Sequence, residues 1–146
     1  MSHLTKLSAE VGQFLIPVAA GSYAIYNGDY SEAALFALCA AAQKMEIVFL
    51  KTMFPRTRPN GSDDKSFPSG HTAGAFLGVG LLAAKYGLSP SASIAFSGAS
   101  LVAFSRYISK HHWPTDILAG ASIGLINGFL AGTKFFYSRE KINSSY

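Results

Sequence analysis

At 146 residues the chain has the length of one domain, and 14% of it is charged against 49% apolar, well below the ~25% charge of an ordinary soluble domain. It lacks the material for a charged, water-facing skin. Its net charge of +4 comes from Lys and Arg scattered between apolar runs and near the C-terminal end, not from a basic stripe, which argues against a nucleic-acid partner.

The charges cluster: residues 11–28, 86–105 and 117–133 carry none, the pattern of a membrane protein. Residues 1–10 form a polar lead. Lys6 ahead of an apolar stretch with small Ala19 and Ala20 imitates a secretory signal, but Glu10 interrupts its basic end. Val11–Tyr26 is therefore expected as a retained first span, kinked at Pro17 and close to the ~20 residues a bilayer core requires once extended back to Leu7. Asn27-Gly28-Asp29 is a turn signal, and Tyr30 suits the headgroup level.

A second helix is predicted over Ser31–Met53. Cys39, the single cysteine, lies in its Ala-rich half as a small packing residue. The other half carries Gln43, Lys44, Glu46 and Lys51, with Lys44 and Lys51 on one face. Either these groups turn inward to partners, or this end leaves the membrane early. Phe54–Phe67, with Pro55, Pro59, Gly61 and Asp63-Asp64, is the long polar loop. Helices are expected over Ser69–Tyr86 and Ser91–Arg106, separated by a turn at Gly87–Pro90. After a loop at Tyr107–Trp113, Pro114 opens a last helix reaching about Tyr137, and Lys141–Tyr146 is expected to fray. Gly120, Gly124, Gly128 and Gly132 recur every four residues along it, a stripe that admits a neighbouring backbone. Asp116 lies on that stripe, so it is expected to face the bundle interior. The fold class is all-α: one domain over residues 1–146, an integral membrane bundle of about five transmembrane helices.

Pro68-Ser69-Gly70-His71 opens the third helix. Alone it is an ordinary helix start that contains a histidine. A capping Ser69 followed by bare Gly70 and His71 amides also makes an anion site, and Gly70 lets an anion approach the backbone. Upstream, Lys51 is followed by six residues and Arg58-Pro59. Downstream, Ser105-Arg106 is followed by five residues, His112, three more and Asp116. These three clusters, in this order and spacing, resemble the signature of the type 2 phosphatidic acid phosphatase superfamily, which also holds bacterial non-specific acid phosphatases and vanadium haloperoxidases. The resemblance runs from Lys51 to Asp116 and fills every signature position. Its membrane branch commonly has six spans, so the resemblance leads to the expectation that the first of them has no counterpart among the five read here.

The chemistry fits. Lys51, Arg58 and Arg106 bring three cations to a phosphate dianion, Arg meeting two oxygens at once, and Ser69 with the Gly70 amide adds neutral donors. The resemblance implies that His112 is the nucleophile and becomes a phosphohistidine. It implies that Asp116 hydrogen-bonds the other imidazole nitrogen and that His71 is the acid for the leaving oxygen. Each residue alone has a plainer reading, as a snorkelling helix end or an interfacial hydrogen-bonder; their joint occurrence favours catalysis.

The expected activity is a membrane lipid phosphatase or pyrophosphatase, its partners a lipid phosphate and the bilayer. It is expected to need no cofactor and no metal, since three cations repel a divalent ion and the carboxylates for two-metal chemistry are lacking. Undecaprenyl diphosphate, phosphatidylglycerol phosphate, phosphatidic acid and lipid A phosphates all remain open as substrates. The rivals are a catalytically idle phospholipid-binding bundle and, further off, a vanadate-dependent peroxidase on the same scaffold. Lys134, Arg139 and Lys141 after the last span favour a cytoplasmic C-terminus. In a bacterial inner membrane, that would turn the catalytic face to the periplasm or cell exterior.

Overall fold

The computed structural model describes residues 11, 14–19, 21, 22, 25, 26 and 30–143, with side chains described through residue 133. The polar lead, the turn at Asn27–Asp29 and the last three residues lie outside the described residues. Residues 14–19, 21–22 and 25–26 are helical where the first span is expected, with Pro17 among them. Four further helices follow: α1 Tyr30–Met53, α2 Gly70–Tyr86, α3 Pro90–Ile108 and α4 Pro114–Asn143. Their starts fall within a residue of expectation. The last runs six residues past the expected end at Tyr137.

The sequence sets these boundaries with simple devices. Ser89 accepts a hydrogen bond from the Ala92 amide at 3.3 Å, with Pro90 in the first turn of α3. Gly87 ends α2 at a φ of 61°, its N–H donating to the Ala83 carbonyl.

α2 is the central helix. Nearly every residue from Thr72 to Leu81 is buried, against one narrow seam of α1 formed by Glu32, Phe36, Gln43 and Ile47. α4 packs on it along the glycine stripe. A Cβ added at Gly124 would lie 2.3 Å from the Ala73 carbonyl oxygen, and one at Gly128 would lie 2.0 Å from that of Leu77. Gly80 answers from α2, with the Leu125 carbonyl in the place of its absent Cβ. The two backbones are therefore in direct contact, as the four-residue period predicts. Ile16 of the N-terminal helical stretch lies against Gly78 and Gly98, which closes that side over α2 and α3.

Around this small-residue interior the large apolar side chains point outward. Leu38, Met45 and Phe49 on α1, Ile94, Leu101 and Phe104 on α3, and Leu118 and Ile126 on α4 are all exposed. Water would penalise such a surface and hydrocarbon would not. α1 and the Pro114–Thr133 part of α4 are long and apolar enough to cross a bilayer. α2 and α3, at 17 and 19 residues, fall at the short end of the ~17–25 residue range.

Candidate active site

The site forms where the loop after α1 is tied to the starts of α2 and α4. Within that loop the Arg56 amide donates to the Asp64 carbonyl at 2.7 Å, and the Ser66 amide to the Arg56 carbonyl at 2.9 Å. Gly61 turns the chain at a φ of 72°. Asp63 accepts from Arg58 Nε at 2.6 Å and from the Lys65 amide at 2.9 Å. These bonds, the Lys65 amide first and then the Arg58 guanidinium, hold its carboxyl below the usual range. Arg58 is thus steered by its own loop. Lys51, in the last turn of α1, donates to the carbonyls of Lys65 and Pro68, each at 2.7 Å.

At the start of α2, Ser69 is the N-cap residue by position, yet its side chain caps no backbone amide. Its hydroxyl pairs with that of Thr72 at 2.9 Å, both fully buried. The expected side-chain cap is thereby corrected: the burial that encloses Ser69 also turns its hydroxyl to the nearest hydroxyl. The Ser69 amide donates to the Asp116 carbonyl at 2.9 Å, which joins α2 to the first turn of α4. Gly70 has a packing reason beside its chemical one, since a Cβ there would stand 3.3 Å from the Ile47 side chain. His71 is partly buried, with Arg106 and Arg58 among its charged neighbours. Arg106 is buried near the end of α3.

His112 is 2% exposed, and its Nδ1 lies 2.6 Å from the Ser66 carbonyl oxygen. A carbonyl can only accept, so Nδ1 carries the hydrogen and Nε2 keeps its lone pair. Burial, followed by the charge of Lys51 and smaller effects of Arg58 and Arg106, lowers the His112 pKa to about 3, the Ser66 bond opposing. The three predicted cations therefore act on the same neutral imidazole.

Asp116 does not make the expected hydrogen bond to His112. Its carboxylate, 0% exposed, accepts from Arg56 Nη1 at 2.6 Å, Ser66 Oγ at 2.5 Å and the Trp113 amide at 2.9 Å. The spacing of four suggested one helical turn, but α4 begins only at Pro114. His112 is in the preceding loop, and its Nδ1 meets a different acceptor. Arg56 also donates to Thr115 Oγ1 at 2.6 Å and lies 5.5 Å over the Trp113 ring.

The residues expected at the site are thus gathered at one end of the bundle, together with Arg56 and Ser66, which the sequence reading missed. Their signal was faint: a buried carboxylate at Asp116 needs donors, and the loop before Pro68 offers an Arg and a Ser. A cavity of about 410 Å³, lined by His112, Trp113, Tyr107, Pro59 and Lys110 among others, opens beside the imidazole. Lower on α1, Glu46 accepts from Asn127 of α4 at 2.9 Å, so Glu46 as well as Lys51 of that half-helix finds a partner; Lys44 is exposed.

A helical bundle with paired histidines, clustered cations and a carboxylate at one end defines a class, and the sequence model of the PAP2 superfamily matches residues 32–140. The chain belongs to that superfamily and is a helical membrane protein. It is 43% identical over 82 residues, 55% of its length, to a lipid A 1-phosphatase of Porphyromonas gingivalis. It spans only 18% of the length of that relative. Its fold matches the crystal structure of Aquifex aeolicus LpxE with a TM-score of 0.71 at 24% identity, covering 88% of this chain and 82% of the other.

Proposed function

We propose that this protein is a membrane lipid phosphatase acting through a phosphohistidine at His112, with a lipid A phosphate as the first candidate substrate. The observation that carries the reading is a buried, neutral His112 of fixed tautomer, with Lys51, Arg58 and Arg106 acting on it. Those cations would draw the phosphoryl oxygens to the nucleophile and stabilise the charge that develops there.

In the first step the Nε2 lone pair attacks phosphorus. The bond to the leaving oxygen breaks, and that oxygen takes a proton from His71, which becomes charged by taking up a proton alongside the phosphate dianion. In the second, water attacks the phosphohistidine, His71 takes the water's proton, and free His112 and inorganic phosphate result. The Gly70 amide would contact the same oxygens. The chemistry needs no metal, and a divalent ion would have to enter among three cations.

The relative named for lipid A phosphate supports that substrate class. Lys134, Arg139 and Lys141 after the last span support a cytoplasmic C-terminus and so an active site on the periplasmic side of a bacterial inner membrane. The test is phosphate release by purified protein in detergent from lipid A, undecaprenyl diphosphate, phosphatidylglycerol phosphate and phosphatidic acid. Release should be fastest from lipid A, persist in a chelator and vanish with His112→Ala. Undiminished release by the His112 variant, or a strict need for an added metal, would remove this reading.

A further inference from the structure

Ser66 uses two groups at once, and they face two different members of the site. Its carbonyl accepts the Nδ1–H of His112 at 2.6 Å, and its hydroxyl donates to Asp116 Oδ2 at 2.5 Å. The residue is fully buried, its amide anchored on the Arg56 carbonyl at 2.9 Å. Its hydroxyl has a second, longer approach to the His111 carbonyl at 3.4 Å, but a charged carboxylate at 2.5 Å is the stronger acceptor. Asp116, in turn, is held by Arg56 and the Trp113 amide.

We infer that Ser66 is the positioning residue for the nucleophile, coupling Asp116 to His112 so that the carboxylate acts on the imidazole through Ser66 and not directly. The inference rests on the phosphatase reading for its kinetic form. Physically, Ser66 is anchored at two points, its amide on the Arg56 carbonyl and its hydroxyl on Asp116, which leaves the carbonyl between them little room to swing. Pinning Oγ on Asp116 therefore restrains where the carbonyl points, and that carbonyl holds the plane and tautomer of His112. Asp116 is itself locked to the start of α2 through the Ser69 amide. The nucleophile, the loop and the phosphate-facing helix start are thus registered against one carboxylate. An error of about 1 Å in such an arrangement costs on the order of 100-fold in rate.

The test is a double-mutant cycle on the full chain in detergent, with melting temperatures taken alongside. Phosphate release gives kcat and KM. Vanadate titration read on the fluorescence of Trp113, the single tryptophan, gives an affinity for a phosphate-shaped anion without turnover. Ser66→Ala should lower kcat about 10- to 100-fold while KM changes less than about threefold, and Asp116→Asn should lower kcat further. The double variant should fall no lower than Asp116→Asn alone, because both changes cut one linkage. Vanadate affinity should follow the same non-additive pattern. Ser66→Cys, similar in size but a far weaker donor, repeats the cycle should the alanine variant fail to fold. A folded Ser66 variant within about twofold of wild type, or losses that multiply in the double variant, overturns the inference. If wild type releases no phosphate, the non-additive vanadate pattern still upholds the linkage and additive losses still reject it, whatever becomes of the phosphatase reading.

Discussion

The two ends of the bundle each bury a carboxylate against a cation, and they do it differently. At the end that carries the candidate site Asp116 is fully buried, and both its oxygens are occupied by donors from three residues. At the far end Glu32 of α1 is 2% exposed and pairs with Lys85 of α2 through Oε1, while its Oε2 has no hydrogen-bond partner among the described residues. Burial alone therefore does not tell the two carboxylates apart. The number of donors does: a saturated carboxylate has one geometry, whereas a carboxylate held at one oxygen can pivot about that bond. A desolvated pair of the second kind contributes little net stability, because the cost of leaving water offsets most of the attraction.

The largest test of this contrast removes each carboxylate. Asp116→Ala should lower turnover by on the order of 1,000-fold and destabilise the fold by about 2–4 kcal/mol, because the buried Ser66 hydroxyl and the Trp113 amide lose their acceptor. Glu32→Ala should cost less stability, because Lys85 keeps its place 5.5 Å over the Tyr86 ring, while turnover per folded molecule stays at the wild-type level. Restoring Tm by the apolar pair Glu32→Met with Lys85→Met would confirm the far-end pair as dispensable. A loss of turnover in that double variant would show that the two ends communicate.

The next largest effect belongs to the region between them. Gly128→Leu places a side chain where the Leu77 carbonyl already stands, so α2 and α4 must separate. Overpacking of this kind costs about 3 kcal/mol, and Tm in detergent should drop by several degrees. An unchanged Tm would mean that the seam is not the contact described here.

A smaller effect separates the ends by pH. The folded-state pKa of His112 is lowered to about 3, below the ~6.5 of an unfolded histidine. Its contribution to stability is complete above pH 6.5 and declines as pH falls toward 3, because the unfolded chain binds a proton that the folded site refuses. Between pH 7 and pH 5 this amounts to about 2 kcal/mol at most. Wild type should lose Tm over that interval, and His112→Gln should lose less. Parallel curves for the two proteins would place the titration elsewhere.

The smallest expected change is Arg56→Ala, about tenfold in kcat. Arg56 is one of three donors to Asp116, its side chain is 41% exposed, and water can take its place. A loss as deep as that of Asp116→Ala would make Arg56, not Ser66, the critical support.

Much of this was readable in advance, for physical reasons. Charge-free runs, Pro90, Pro114 and Gly87 mark helices because each acts locally. The glycine period marks a seam because a repeat of four is nearly one helical turn. The candidate histidines and cations stand out because their three clusters keep the order and spacing of a family signature. What stayed hidden depends on how the 54–69 loop folds back. Ser66 and Arg56 meet Asp116 from 50 and 60 positions away, and Glu32 meets Lys85 from 53. No local pattern encodes such pairings. The His112–Asp116 spacing misled because it has the helical value in a stretch that is not yet helix.

Lys51 has a valence to account for. An ammonium has three hydrogens, and two are committed to the Lys65 and Pro68 carbonyls. One is left, and under the proposed function it would meet an incoming phosphoryl oxygen. The same side chain would then close the loop onto α1 and receive the ligand, with no need to release one task for the other. A planar guanidinium could not divide its donors in three directions around one nitrogen, which gives this position its own reason to be lysine among the site's arginines.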